Sequence, residues 1–369
     1  MALAKQETKK IADFLLQEID RLITRPVRLM EVCGTHTVAI FRAGIRQVLP
    51  PQVELVSGPG CPVCVTPDDY MDQAIAYAKR EDVIITTFGD MLKVPGSASS
   101  LGEVKAEGAD IRIVYSPLES LEVAVKHPEK KVIFLAVGFE TTAPLAAATV
   151  LQAKARKIDN FFVLSAHKLV PPALQALLSD PEVKVDGFIL PGHVCAVIGE
   201  APFHFLPGEY QMPAVIGGFE PLEILQAVYM LAKQIHASKP AVENAYRQVV
   251  KANGNPAAWQ VLTEVYEYDD AVWRGIGVIP TSGLRVRPCY QAFDAQVALP
   301  MQLEKVTKQT ACRCGEVLRG LIKPVECRLF GKACLPQHPV GACMVSVEGS
   351  CAAWYKYGSG RYHYGTGKN

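Results

Sequence analysis

From residue 27 onward the chain alternates short apolar runs with stretches of helical periodicity. The runs are 28–32 (RLMEV), 53–56 (VELV), 83–88 (VIITTF), 111–115 (IRIVY), 131–137 (KVIFLAV), 161–164 (FFVL), 187–190 (GFIL) and 214–216 (AVI). They are rich in Val, Ile and Phe and bounded by Gly, Pro or Ser. Strands of a parallel sheet covered by helices on both faces read as continuous apolar runs of this kind. The pattern predicts an α/β protein with two similar lobes, each a parallel sheet of about four strands flanked by helices. The division falls near residue 120, giving lobe I as 27–120 and lobe II as 121–235.

Ahead of the first run, Ile11, Phe14, Leu15, Ile19 and Leu22 recur at helical spacing, with Lys9, Lys10, Glu18 and Asp20 between them. The charges interrupt any signal-peptide core, so 1–26 reads as an amphipathic helix. Its apolar stripe is expected to dock on the C-terminal part of the chain, a domain at 236–369. Residues 222–251 read as helix broken at Pro240, 253–259 as a turn followed by more helix, and 275–286 as strands with a turn. The Gly- and Tyr-rich tail from Tyr357 is expected to be poorly ordered at its end.

A net charge of +1 gives no broad basic footprint, which argues against nucleic acid as a partner. No apolar run approaches the ~18 residues of a membrane helix, and the chain reads as cytoplasmic. Cysteine changes the picture. Six of the 11 lie between Cys312 and Cys351, in a stretch with no useful amphipathic period. Such a segment needs a staple, and in a reducing compartment grouped thiolates point to metal rather than disulfides. Cys312, Cys327, Cys334 and Cys351 supply thiols from four separate loops, which suits a cubane, while Cys314 and Cys343 are two extra thiols nearby. The spacing leaves an iron–sulfur cluster and zinc both open.

Other chemistry-bearing tracts follow apolar runs, where open α/β sheets bind ligands. VCGTHT at 32–37 brings Cys33 and His36 to the start of a helix, whose aimed N–H groups are expected to lower the thiol pKa. SGPGCPVC at 57–64 carries Cys61 and Cys64 as a C-x-x-C pair of the redox or metal type. VGFETT at 137–142 offers Glu140, Thr141 and Thr142; SAHK at 165–168 offers His167 and Lys168; PGHVC at 191–195 offers His193 and Cys195. Taken singly, a capping Thr or Glu or a satisfied core His explains each as well. VCGTHT pairs with VGFETT, and SGPGCPVC with LPGHVCAV, as a weak sign of duplication.

MEVCGTHT, GPGCPVCVTP, VGFETT, PGHV and the C-x14-C-x6-C-x16-C array together resemble the HypD family of NiFe-hydrogenase maturation proteins, nearly from end to end. The resemblance implies two α/β lobes facing a cleft and a third domain holding a 4Fe-4S cluster on Cys312, Cys327, Cys334 and Cys351. It further implies an iron site at Cys33 beside His36, a redox pair at Cys61 and Cys64, and a thiol pair near the cluster at Cys314 and Cys343. The family's role is to assemble the Fe(CN)2CO group with HypC in a one-to-one complex. Cyanide is accepted transiently from HypE, with the carbamoyl-transferring HypF upstream. A zinc-stapled thiol–disulfide oxidoreductase and a non-catalytic interaction scaffold are the other classes compatible with the residues.

Overall fold

The computed structural model describes residues 2–301 and 310–358, with 2–5 as backbone only. The end of the Gly- and Tyr-rich tail lies outside the described residues. Eleven strands are described: β1 (Val27–Glu31), β2 (Val53–Ser57), β3 (Val83–Thr87), β4 (Ile111–Ile113), β5 (Lys131–Ala136), β6 (Phe161–Ser165), β7 (Gly187–Pro191), β8 (Ala214–Gly217), β9 (Val242–Asn244), β10 (Tyr266–Trp273) and β11 (Gly277–Val286). They form a five-stranded sheet in the order β2-β1-β7-β8-β9, a four-stranded sheet in the order β4-β3-β5-β6, and the β10–β11 hairpin. Both larger sheets are parallel throughout. The α/β class with helix-flanked parallel sheets is therefore as the apolar runs imply.

The expected division near residue 120 does not separate the strands. One unit comprises 1–61, 177–254 and 312–369; the other comprises 62–176 and 255–311. Thus β1 and β2 share a sheet with β7, β8 and β9, joined through the β1–β7 pair, while β3 to β6 make a sheet of their own. The C-terminal region divides as well: 255–311 joins the second unit, and the cysteine-rich segment joins the first. The inner strands β3, β5, β7 and β8, and β6 at the edge, are buried along nearly their whole length, so their pattern announces burial but does not say which strand lies beside which.

Within each sheet the first strand lies second from one edge, and the chain then works outward on the other side. Both sheets have the doubly wound order 2-1-3-4, extended by β9 in the first unit. The lobes are similar in topology, but the tract pairing read from the sequence does not follow it. VCGTHT comes after the first strand of its sheet and VGFETT after the third of the other.

In the first unit the helix Ala2–Leu22 lays Leu15, Ile19 and Leu22 against Ile224, Leu225 and Val228 of the helix Pro221–Ala237. The expected docking on the C-terminal domain is replaced by this contact. Each fully buried Leu or Ile here contributes ~1.5–3 kcal/mol. Helix stops before Pro240, as expected, but 242–244 then forms the edge strand β9 rather than resumed helix. In the second unit, Ile84, Val132, Phe134, Phe161 and Val163 form the core with Ala146, Ala147 and Val150 of the helix Ala143–Arg156. The turn expected at 253–259 is there and leads into the helix Pro256–Val265, as expected, which runs directly into β10. Tyr266, Leu284 and Val286 of the hairpin close that core.

Candidate functional site

In the first unit the carboxyl ends of four adjacent strands converge. CGTHT follows β1, GPGC follows β2, PGHV follows β7 and GGFE follows β8. The sheet order reverses between β1 and β7, and ligands of doubly wound folds bind at that switch point. Cys33 sits there as the residue before the helix Gly34–Arg42. The turn is tight: a Cβ at Gly60 would come within 2.2 Å of the Cys33 backbone nitrogen. Only glycine permits that approach, and the Gly34 N–H then donates to the Gly60 carbonyl at 2.9 Å.

His36 is fully buried one turn along the helix. Its Nε2 lies 2.8 Å from the Gly218 carbonyl, which can only accept, so Nε2 carries the proton. Nδ1 is left as a bare acceptor, buried and without a hydrogen-bond partner among the described residues. Burial pushes the ring's pKa down to about 4, against the two backbone carbonyls that favour the proton. The ring stacks on Phe219 at 4.5 Å between centroids, and His193 stacks on Phe219 at 4.0 Å. Gly192 lets PGHV come this close: a Cβ there would lie 2.5 Å from the Gly217 carbonyl oxygen.

Cys33 corrects one expectation. Burial raises its thiol pKa to about 11, and the Glu348 carboxylate adds to the rise. The N–H groups of His36 and Thr35 and the Thr35 hydroxyl work the other way and are outweighed. Thr35 Oγ1 donates to Glu348 Oε1 at 2.7 Å, and Gly34 leaves room for the Glu348 side chain. Glu348 and Phe219 were not singled out from sequence. A lone carboxylate among the C-terminal thiols, and a GGFE tract echoing GFET after another apolar run, were the available signals.

Glu348 belongs to the cysteine-rich segment, which is fixed to this unit in several places. Arg319 pairs with Asp180 at 2.7 Å, and Arg28 donates to the Gly320 carbonyl. Trp354 of the helix Ser350–Tyr357 meets Phe41 edge-on at 5.2 Å, with the Arg46 guanidinium 4.7 Å from the Phe41 ring. Arg46 also pairs with the buried Glu31 at the end of β1, to which Ser57 donates at 2.7 Å. The helix that begins at Cys33 therefore packs on the helix that carries Cys351.

Cys312, Cys314, Cys327, Cys334 and Cys351 line one cavity, walled otherwise by Val317, Leu329, Phe330 and Met344. Cys312 and Cys314 lie 3.0 Å apart, sulfur to sulfur, and Gly341 passes over both where a Cβ would not fit. The buried Cys343 is hydrogen-bonded to Cys314 and to Cys351. The Val340 N–H donates to Cys334 Sγ at 3.3 Å. All eleven cysteines are thiols. Among the described residues, no group of three or more His, Cys, Asp or Glu side chains is drawn together in the manner of a single-ion site.

Cys61 and Cys64 are both buried, and the division between the two units falls between Cys61 and Pro62. Cys195 is buried in the helix Gly192–Ile198. In the second unit Glu140 accepts from the Val170 N–H at 2.9 Å, and burial raises its carboxyl pKa to about 7. Thr142 donates to the Phe139 carbonyl at 3.2 Å, holding its own turn, while Thr141 is exposed. His167 is buried, with its pKa pushed down to about 3 by burial. None of the described helices is long and apolar enough to cross a membrane.

A doubly wound sheet with a thiol and an imidazole at its switch point, braced by a cysteine-lined segment, defines a cysteine-rich α/β protein. The HypD family model, described as hydrogenase formation hypA family, matches residues 8–358. The chain is 48% identical to the hydrogenase maturation factor HypD of Escherichia coli (strain K12) over 334 residues, 90% of each chain. It is 46% identical to HypD of Rhodobacter capsulatus over 365 residues, 98% of this chain and 97% of that one. It is 43% identical to a putative hydrogenase expression/formation protein of Methanocaldococcus jannaschii, with 96% of this chain and 97% of that one covered. The chain belongs to the HypD family.

Proposed function

We propose that this protein is a hydrogenase maturation factor that assembles the Fe(CN)2CO group with HypC, accepting cyanide from HypE. The observation that carries the reading is the placement of Cys33 and His36 at the β1/β7 switch point, tied by Thr35 and Glu348 to the cysteine-rich segment. Iron is the cargo. Cys33 would hold it as thiolate, giving up its proton as metal binds, and a soft anionic sulfur suits low-spin iron with cyanide and carbon monoxide. His36 would act from beside the iron, its ring fixed by the Gly218 carbonyl and by Phe219 so that Nδ1 stays an acceptor.

Cys312, Cys327, Cys334 and Cys351 fit a resident 4Fe-4S cluster, because four thiols, three from irregular segments and Cys351 from the helix Ser350–Tyr357, line one cavity and a backbone N–H is aimed at Cys334. Held by these four thiolates, such a cluster would supply one-electron chemistry. Oxidation of the Cys61 and Cys64 thiols to a disulfide would release two electrons and two protons, which would cleave a thiocyanate-type donor to cyanide and a free thiol. Cys314, which lines the cavity, and the buried Cys343 hydrogen-bonded to it would form a second such pair.

The test is Cys33→Ser, purified anaerobically in complex with HypC. Serine has nearly the same shape but stays protonated near neutral pH. The variant is expected to keep the visible absorption of the cluster and to lose the infrared bands of iron-bound CN and CO. A structural cysteine would tolerate the change at ~1–2 kcal/mol, so full CN and CO bands in the variant would move the iron to another thiol.

A further inference from the structure

The second unit carries a cavity that the iron chemistry proposed above does not use. Its volume is about 390 Å³, in the range of small-ligand sites. It is walled by the end of β6 with Ser165, His167 and Lys168, by the start of the helix Asp68–Ala78, and by the β10–β11 hairpin.

Lys168 is only 5% exposed. Its backbone is clamped: its N–H donates to the Gly138 carbonyl at 2.9 Å, and the next N–H, of Leu169, donates to Ser282 at 2.9 Å. Its ammonium makes no hydrogen bond or ion pair among the described residues, although it lines the cavity. A buried ammonium without a partner is costly, and an anion seated against it removes much of that cost. Burial holds the amine down to about 8, the Asp69 carboxylate acting weakly against this. Asp69 Oδ1 is already taken by the Tyr70 N–H at 2.8 Å. His167 beside it is neutral and adds no charge.

The other charged groups facing the cavity are Asp269 and Asp270 on β10, Arg285 on β11, and Asp294. Four carboxylates against two cations make the rim hostile to phosphates and nucleotides. They tolerate a ligand whose one negative charge reaches Lys168 and whose remainder is neutral or cationic. We propose that this cavity binds a small monocarboxylate, neutral or amino-substituted beyond its carboxylate, seated on Lys168 Nζ.

Reductive methylation with formaldehyde, read peptide by peptide by mass spectrometry at pH 8, tests this on the intact chain. Acetate and glycine are the probes; inorganic phosphate and ATP are the controls. Either carboxylate is expected to slow modification of Lys168 several-fold and to leave the exposed Lys157 unchanged, with no protection by ATP. Titration calorimetry should give a binding heat that weakens as pH rises above about 8, where Lys168 loses its proton, and that is absent in Lys168→Met. That variant loses no protein partner and should fold; the protection experiment on the unaltered chain does not depend on it. Unchanged Lys168 labelling at saturating acetate and glycine, or equal protection by ATP, overturns the proposal. Neither outcome bears on the iron site, whose infrared bands are read separately.

Discussion

The Thr35 hydroxyl donates to Glu348 Oε1 at 2.7 Å across 313 residues of sequence. It links the helix that starts at Cys33 to the segment that carries the thiol array, and it places a carboxylate where it raises the Cys33 pKa. Glu348→Gln keeps an acceptor for Thr35 and removes the charge. Its Cys33 is expected to alkylate with a lower pH midpoint than the unaltered thiol, still above an ordinary cysteine because burial remains. Glu348→Ala also removes the hydrogen bond, costing ~1.5–3 kcal/mol in denaturant unfolding. A Cys33 midpoint in Glu348→Gln that stays put or rises would count against the electrostatic link.

The cysteine array should bind iron and sulfide. Anaerobic protein is expected to be brown, with about four irons and four sulfides per chain for a cubane. Cys327→Ala and Cys334→Ala should each abolish the colour and lower the melting temperature, since cluster binding energy is also folding energy. Cys314→Ala and Cys343→Ala should leave the colour largely intact. Stoichiometric zinc without sulfide, by metal analysis, is the result that ends this reading.

HypC is expected to form a one-to-one complex that contacts the loops carrying Cys33 and Cys61–Cys64. Substitutions in those loops should weaken co-purification and shift the complex toward free protein in size-exclusion chromatography. Co-purification indifferent to every substitution there would place the contact on another surface.

Acid stability should report three buried groups with opposing signs. His36 and His167 titrate near 6.5 when unfolded but near 4 and 3 when folded. Below pH 6.5 the unfolded chain therefore binds protons the folded one refuses, and each histidine removes ~1.4 kcal/mol of stability per pH unit. Glu140 works the other way, with its pKa raised from 4.5 to about 7. Its contribution is full below pH 4.5 and is lost as pH rises through about 7. Between about pH 5 and 6.5 it offsets one histidine. Glu140→Gln removes that offset, so its stability should fall more steeply on acidification over this window, measured by urea titrations. Equal slopes in the two proteins would refute the Glu140 assignment.

The sequence by itself determined the pieces. Apolar runs such as VIITTF and KVIFLAV declare buried strands, because a strand covered on both faces has no polar alternation to hide it. Glycine-opened turns mark the ends of β1, β2 and β7, and the crowding of thiols from Cys312 to Cys351 is plain in the chain itself. Tertiary structure decided what these pieces face. Strand order, the interleaving of the two units and the docking of the first helix on Pro221–Ala237 depend on which apolar surfaces meet, and apolar patterns are nearly interchangeable in that respect. The Cys33 pKa runs against its local sequence for a related reason. The helix start is legible locally, but the burial that outweighs it and the carboxylate of Glu348 come from distant sequence. Phe219 between two imidazoles and Lys168 buried at the wall of a cavity are likewise facts of three-dimensional neighbourhood: a residue's charge state and stacking are set by what surrounds it, and only folding supplies the surroundings.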